Sequence, residues 1–321
     1  MRSLVNTRNI PWVCHHLHLD KSKTINPHLL DLSQRHMKEK WFLMKEIKEN
    51  YTKNDLYVRM FSTVTSLYNQ NCRRMRTFID IDSTIGLRGI EVALEVKDYW
   101  VDHGVHIQIG TQPLEGLSTP ENIDLFEKAA SMVDFIGCLP SRDKSPEEHL
   151  DIVFSTAQKD NKPVEAHLDQ CNIPSEKETE LFCDYVEKYK YEGNARAIHC
   201  VSLACQPLEY QNEIAARMNA LKIGAIICPS AAISMTQHSE YMAPIHNSIG
   251  PVGVFLNNDV KVGLGIDNIE DIFMPFCDGD LEFELRLLAE AVRIYDPEIL
   301  KEIATNIMGF EWTKHYDAIL R

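Results

Sequence analysis

Residues 16–22 read His16-Leu17-His18-Leu19-Asp20-Lys21-Ser22 and close a short apolar run that begins at Ile10. Alternate side chains of a strand share a face, so His16 and His18 point the same way. Two imidazoles on one face are the start of a metal site. Three further polar positions stand at the ends of similar runs. They are His167 after Val164-Glu165-Ala166, His199 after Ala197-Ile198, and Asp267 after Gly263-Leu264-Gly265-Ile266.

The runs themselves set the fold class. β-rich segments recur at 10–17, 76–81, 105–111, 135–139, 163–168, 196–201, 224–228 and 261–266. Several are almost continuously apolar, as parallel strands covered on both faces should be. Amphipathic stretches lie between them, at 87–100, 119–132, 175–189 and 211–221, and Ser118-Thr119-Pro120-Glu121 and Ser145-Pro146-Glu147-Glu148 are helix starts with proline in the first turn. Strand and helix therefore alternate about eight times, and the pattern predicts an α/β chain folded as a (β/α)8 TIM barrel. The other candidate, an open doubly wound sheet, lacks its Gly-x-Gly-x-x-Gly after the first strand. The stretch 23–71 is long for one connection and is expected to hold helices at 33–50 and 54–68 over one barrel mouth. No linker or repeat divides the chain, so residues 1–321 read as one barrel domain.

Bulk properties narrow the function. The chain has 321 residues, 44% of them hydrophobic, and a net charge of -14. An acidic surface argues against nucleic acid as a partner. No stretch approaches the roughly 20 apolar residues of a membrane span. The first ten residues lack an apolar core, so no secretory signal is expected. The nine cysteines form no Cys-x-x-Cys pair, which reads as reduced, mostly buried thiols in a cytoplasmic protein.

In a barrel the functional residues gather at the C-terminal strand ends. His16 and His18 fall on strand one, His167 on five, His199 on six and Asp267 on eight, and strands one and eight are neighbours once the ring closes. Alone, His199 reads as a core histidine and Asp267 as a helix cap; together, in this order, they argue for one metal ion. Imidazoles suit zinc or iron.

The order His-x-His-Leu-Asp-Lys, His, His, Asp resembles the amidohydrolase superfamily. More narrowly, it is similar to the branch containing cytosine deaminase and N-isopropylammelide isopropylaminohydrolase. Phe78-Ile79-Asp80-Ile81-Asp82, Thr111-Gln112 and Asp267-Asn268-Ile269-Glu270-Asp271 add to the match, which runs from about residue 10 to about 310. The resemblance implies a metal-dependent hydrolase of a C–N bond in a nitrogen heterocycle or cyclic amide, with water as the attacking group. It places one divalent metal per chain on His16, His18, His167 and Asp267, zinc first, with iron or manganese as alternatives. Asp267 would also take the proton of the attacking water, and His199 would stabilise the tetrahedral centre. Gln112 would read the ring, with Lys21 and Asn268 lining the pocket; Lys21 alone also reads as a surface salt bridge.

Three departures follow. Deaminases of this branch carry His-x-x-Glu on strand five, where this chain has His167-Leu168-Asp169-Gln170. Gln170 exchanges no proton at neutral pH; Asp169, two residues after His167, is the expected partial substitute. Phe273 and Phe276 stand where an aromatic wall follows strand eight. The flanking β-sandwich of the family has no counterpart in the reading, so a bare barrel is expected, its normally hidden surface either polar here or covered by another subunit of a homo-oligomer. The competing reading is a catalytically inactive metal-binding barrel with a scaffold or ligand-binding role.

Other segments have plainer readings. Arg73-Arg74-Met75-Arg76 is expected as a helix end or a barrel rim, 176–180 as an exposed acidic helix face, and 231–247 as a lid or a packed helix and turn. His15 is expected on the strand face opposite His16, and His103 and His106 at the end of strand three away from the chemistry.

Overall fold

The computed structural model describes residues 10–235 and 249–310. Eight strands are present: β1 (Trp12–Leu17), β2 (Cys72–Asp80), β3 (His106–Gln112), β4 (Ile136–Cys138), β5 (Val164–Leu168), β6 (Ala195–His199), β7 (Gly224–Ile227) and β8 (Val262–Leu264). All pair in parallel, β1-β2-β3 in one run and β4 through β8 in another. Both seams between the runs are bridged. Gly110 pairs with Phe135 at one and Leu17 with Asp267 at the other, where the Ile266 N–H donates to the His16 carbonyl at 2.9 Å and the His18 N–H to the Asp267 carbonyl at 3.1 Å. The ring is closed, as the alternating pattern predicts.

The first seam depends on glycine. A Cβ on Gly110 would stand 2.0 Å from the Phe135 ring, so the strands meet there only because the side chain is missing.

Two helices begin where the sequence signals them. Thr119 caps α5 (Pro120–Met132) by accepting from Asn122 N–H, and Ser145 caps α6 (Pro146–Asp160) by accepting from Glu148 N–H, each with proline in the first turn. The others around the ring are α4 (Arg88–Val101), α7 (Glu178–Tyr189) and α8 (Leu208–Ala220). The β1–β2 connection holds α1 (Pro27–Leu32), α2 (Met37–Glu49) and α3 (Lys53–Asn69), the first of them unsignalled by periodicity. Four short or late helices complete the described chain: α9 (Pro229–Ile233), α10 (Val252–Asn257), α11 (Leu281–Val292) and α12 (Pro297–Thr305). All described strands belong to the barrel. Most of the expected lid lies outside the described residues; the part within them is α9 and the turn after it.

Four readings are corrected here. Residues 73–76 lie inside β2, and Arg76 is fully buried. Its guanidinium is 3.2 Å from Glu165 Oε1, donates to Gln108 Oε1 at 2.8 Å and to the Met308 carbonyl, and packs 4.5 Å from the Phe310 ring centroid. The segment 306–310 thus plugs the barrel floor. His15 is not on the opposite face. Cys14 pairs with Met75 and Leu17 with Thr77, so three steps of β1 match two of β2, and this bulge turns both His15 and His16 inward. His15 takes a hydrogen bond from Arg76 at 3.3 Å and donates to the Asn306 carbonyl at 3.0 Å, one layer below His16, which meets the Phe78 ring edge-on. The stretch 176–180 is not an exposed face, because Glu178 is buried. Lys21 is buried too, paired to Asp80 Oδ1 at 2.6 Å, so its reading as a surface salt bridge falls.

Candidate metal centre and pocket

The C-terminal strand ends bring His16, His18, His167, His199 and Asp267 together in the barrel mouth. The imidazoles of His16, His18 and His167 pack edge-on or stacked, with ring centroids 4.8–5.5 Å apart. Asp267 Oδ1 lies 3.2 Å from His16 Nε2 and 3.1 Å from His18 Nε2, and Oδ2 lies 3.9 Å from His199 Nε2. One ligand atom from each of His16, His18 and His167 falls within 4.8 Å of the others, and so does one from each of His16, His199 and Asp267.

The backbone is strained where it delivers these groups. Asp169, His199 and Asp267 all have positive φ, at 55°, 72° and 77°. Such conformations cost about 1–3 kcal/mol each and persist where the surroundings over-determine them. Here three strand ends turn sharply into one mouth.

Electrostatics keep His18, His167 and His199 neutral. Burial, joined by the Lys21 ammonium, pushes His18 down to about 3. Burial, against the pull of Asp267, takes His199 to about 4. His167 is also held well below the usual histidine value, by burial and then by the neighbouring imidazoles. Burial would raise the Asp267 carboxyl, but hydrogen bonds from His16 and His18 overcome it, so the group is held well below the usual carboxylate range. Neutral imidazoles beside a carboxylate are the protonation states that metal binding needs. His167 Nδ1 donates to the Cys138 carbonyl at 3.3 Å, leaving its Nε2 lone pair directed into the cluster. His167 Nε2 and His16 Nδ1 are buried with no hydrogen-bond partner. Orphaned imidazole nitrogens in a buried cluster fit a divalent ion.

Above the cluster lies a pocket open to solvent. Gln112, Gln170, Asn268 and Lys21 line it, with Trp41 and Phe273 as aromatic walls. Buried Gln112 Oε1 and Gln170 Nε2 have no partner, so one acceptor and one donor stand ready for a ligand. Asn268 is held by a 2.5 Å hydrogen bond to Asp271 Oδ2. Phe276 is not part of this wall; it is 85% exposed and lines a neighbouring groove. Trp41, Arg35 and Lys40 come from the β1–β2 connection and carry no strand-end signal by which sequence reasoning finds a site.

Asp169 is a correction. Its carboxylate turns away from the pocket and accepts from Glu178 N–H at 2.6 Å and Thr179 Oγ1 at 2.5 Å, tying the start of α7 to β5. It is a structural residue here, not a replacement for the missing glutamate. Asp169→Asn is therefore expected to cost about 1 kcal/mol, the scale of a lost helix cap, and to leave bound metal unchanged. Denaturant titration with elemental analysis checks this, and loss of metal would contradict it.

Glu178 beside it donates a pH signature. Burial, then Glu176 and Asp169, push its carboxyl up to about 8. The native chain thus holds a proton that the unfolded chain, near 4.3, has released. The stability this contributes is full below that unfolded value and is lost as pH rises to about 8. Thermal midpoints measured between pH 5 and 9 should fall more steeply in the natural chain than in Glu178→Gln; equal slopes would contradict the assignment.

Comparison with known proteins agrees with this geometry. No protein-family model matches the chain. It is 31% identical to an uncharacterized protein of Haemophilus influenzae over 75% of this chain and 88% of that one. Among solved structures, 5-methylcytosine deaminase from Klebsiella pneumoniae liganded with phosphonocytosine superposes with a TM-score of 0.82 at 21% identity, covering 89% of this chain and 70% of that one. N-isopropylammelide isopropylaminohydrolase from Burkholderia multivorans superposes with a TM-score of 0.76 at 19% identity, covering 92% and 73%. The fold is thus the barrel of these deaminase and aminohydrolase structures, as the sequence resemblance implies. The chain belongs to one family with the Haemophilus protein.

Proposed function

We propose that the protein is a metal-dependent amidohydrolase that cleaves a C–N bond of a nitrogen heterocycle or cyclic amide, releasing ammonia or an amine. The observation that carries this reading is the convergence of three buried imidazoles and one carboxylate, with orphaned ring nitrogens, beneath a pocket walled by aromatic and amide side chains. The fold shared with structures of a deaminase and an aminohydrolase supports it.

His16, His18, His167 and Asp267 would hold the ion, zinc first. When bound, the ion supplies Lewis acidity, polarising the substrate and acidifying water. The chain's own groups do the rest. Asp267 Oδ1 is engaged by His16 and His18, which leaves Oδ2 to take the proton of the attacking water and return it to the departing nitrogen. His199 Nε2, beside Oδ2, stabilises charge that develops on the tetrahedral carbon's oxygen. Gln112 Oε1 and Gln170 Nε2 pair with a donor and an acceptor on the ring edge, while Trp41 and Phe273 pack its faces.

The test is a panel of amino-substituted heterocycles and cyclic amides, incubated with zinc-, iron- or manganese-loaded protein and assayed for ammonia or amine. Release from at least one member is expected. Stoichiometric metal with no release from any member would favour the inert metal-binding barrel instead.

A further inference from the structure

The pocket is charged against the rest of the molecule. The chain carries 47 acidic against 33 basic residues, yet the pocket is lined by Lys21, Arg35 and Lys40, with Asp267 as its one carboxylate among the described residues. Asp267 is committed to the histidines. Lys21 is neutralised by Asp80 at 2.6 Å, with Asp20 at 3.8 Å. Arg35, at the mouth, shares its charge with Glu39 at 3.4 Å.

Lys40 is different. It is 8% exposed, and its ammonium makes one long hydrogen bond, 3.5 Å to the Phe273 carbonyl. Among the described residues no carboxylate lies within ion-pair distance of it. It also stands in the first turn of α2, the helix end where the backbone dipole favours an anion over a cation. Burial lowers its pKa from the usual lysine value, and Asp271 opposes that only from a distance. A partly buried ammonium without a counter-ion gives up solvation; a ligand anion would make this good.

We infer that the substrate carries a carboxylate, so that Lys40 selects a carboxylated nitrogen heterocycle over its neutral counterparts. The inference rests on the heterocycle reading of the same pocket. The ring would lie between Trp41 and Phe273 over the metal cluster, with its carboxylate toward α2 and Arg35 screening the entrance. A Lys ammonium meets a carboxylate as a point charge through up to three donors, and two of those of Lys40 are uncommitted.

The test compares isosteric pairs that differ only in charge, such as orotate with orotamide and 5-carboxycytosine with 5-carboxamidocytosine. Binding to metal-loaded protein is measured by calorimetry, so the readout does not need turnover. The natural chain is expected to bind the carboxylate of at least one pair about tenfold tighter than the amide, about 1.4 kcal/mol. Lys40→Met should erase that preference, and Lys40→Arg should keep most of it. Equal affinities in the natural chain, a preference that survives Lys40→Met, or binding of neither member of any pair would overturn the inference. Its failure is distinguishable from failure of the hydrolase reading, because hydrolysis of neutral heterocycles without any charge preference sinks only the former. A carboxylate preference lost in Lys40→Met, with no hydrolysis of any panel member, sinks only the latter.

Discussion

Replacing His167 by alanine is expected to strip the chain of its divalent ion and to lower C–N hydrolysis by about 10⁴-fold or more. The expectation follows from position. His167 ends β5 with Nδ1 fixed by the Cys138 carbonyl, so that its free nitrogen faces the other imidazoles. Removing it takes away a ligand that no described neighbour can replace, and loss of a Lewis acid removes several kcal/mol of transition-state stabilisation. The barrel should survive, since His167 makes only that one hydrogen bond among the described residues. Circular dichroism should be unchanged while elemental analysis shows the metal gone. Retained metal with retained activity would remove His167 from the site.

The second large effect lies at the other end of the barrel. Arg76→Met is expected to destabilise the chain by about 3–5 kcal/mol, the scale on which one partner of a buried ion pair is removed. Arg76 and Glu165 are both fully buried and 3.2 Å apart. The same guanidinium holds Gln108, His15 and the Met308 carbonyl. Its removal leaves the buried Glu165 carboxylate without its ion-pair partner and frees the 306–310 segment from the floor. Equilibrium denaturation measures this, and a change below about 1 kcal/mol would show that the floor network is not what closes the barrel. Because His15 separates this layer from His16, metal content should fall far less than in His167→Ala.

Much of this was legible in the chain. The eight strands and most helices announce themselves through apolar runs and capped amphipathic stretches. The metal cluster is legible because barrel strands all end on one rim, so polar residues at run ends must meet there. What the sequence hides depends on events between segments. The bulge that turns His15 inward is a mismatch of register between β1 and β2, visible only when both strands are in place. Arg76 sits in a run of basic residues that reads as surface, and only its facing partner Glu165, far along the chain, allows it to be buried. Asp169 lies at the right spacing to join His167, but the backbone enters the left-handed region there and sends the carboxylate to α7. Lys40 and Trp41 reach the pocket from a helix in a long connection, where no strand-end rule applies.

Metal content is the most direct probe of the site. Elemental analysis of protein purified without added metal or chelator should find about one divalent ion per chain, zinc first. A chain that binds none, even after reconstitution with zinc, iron or manganese, would contradict the site and the hydrolase built on it.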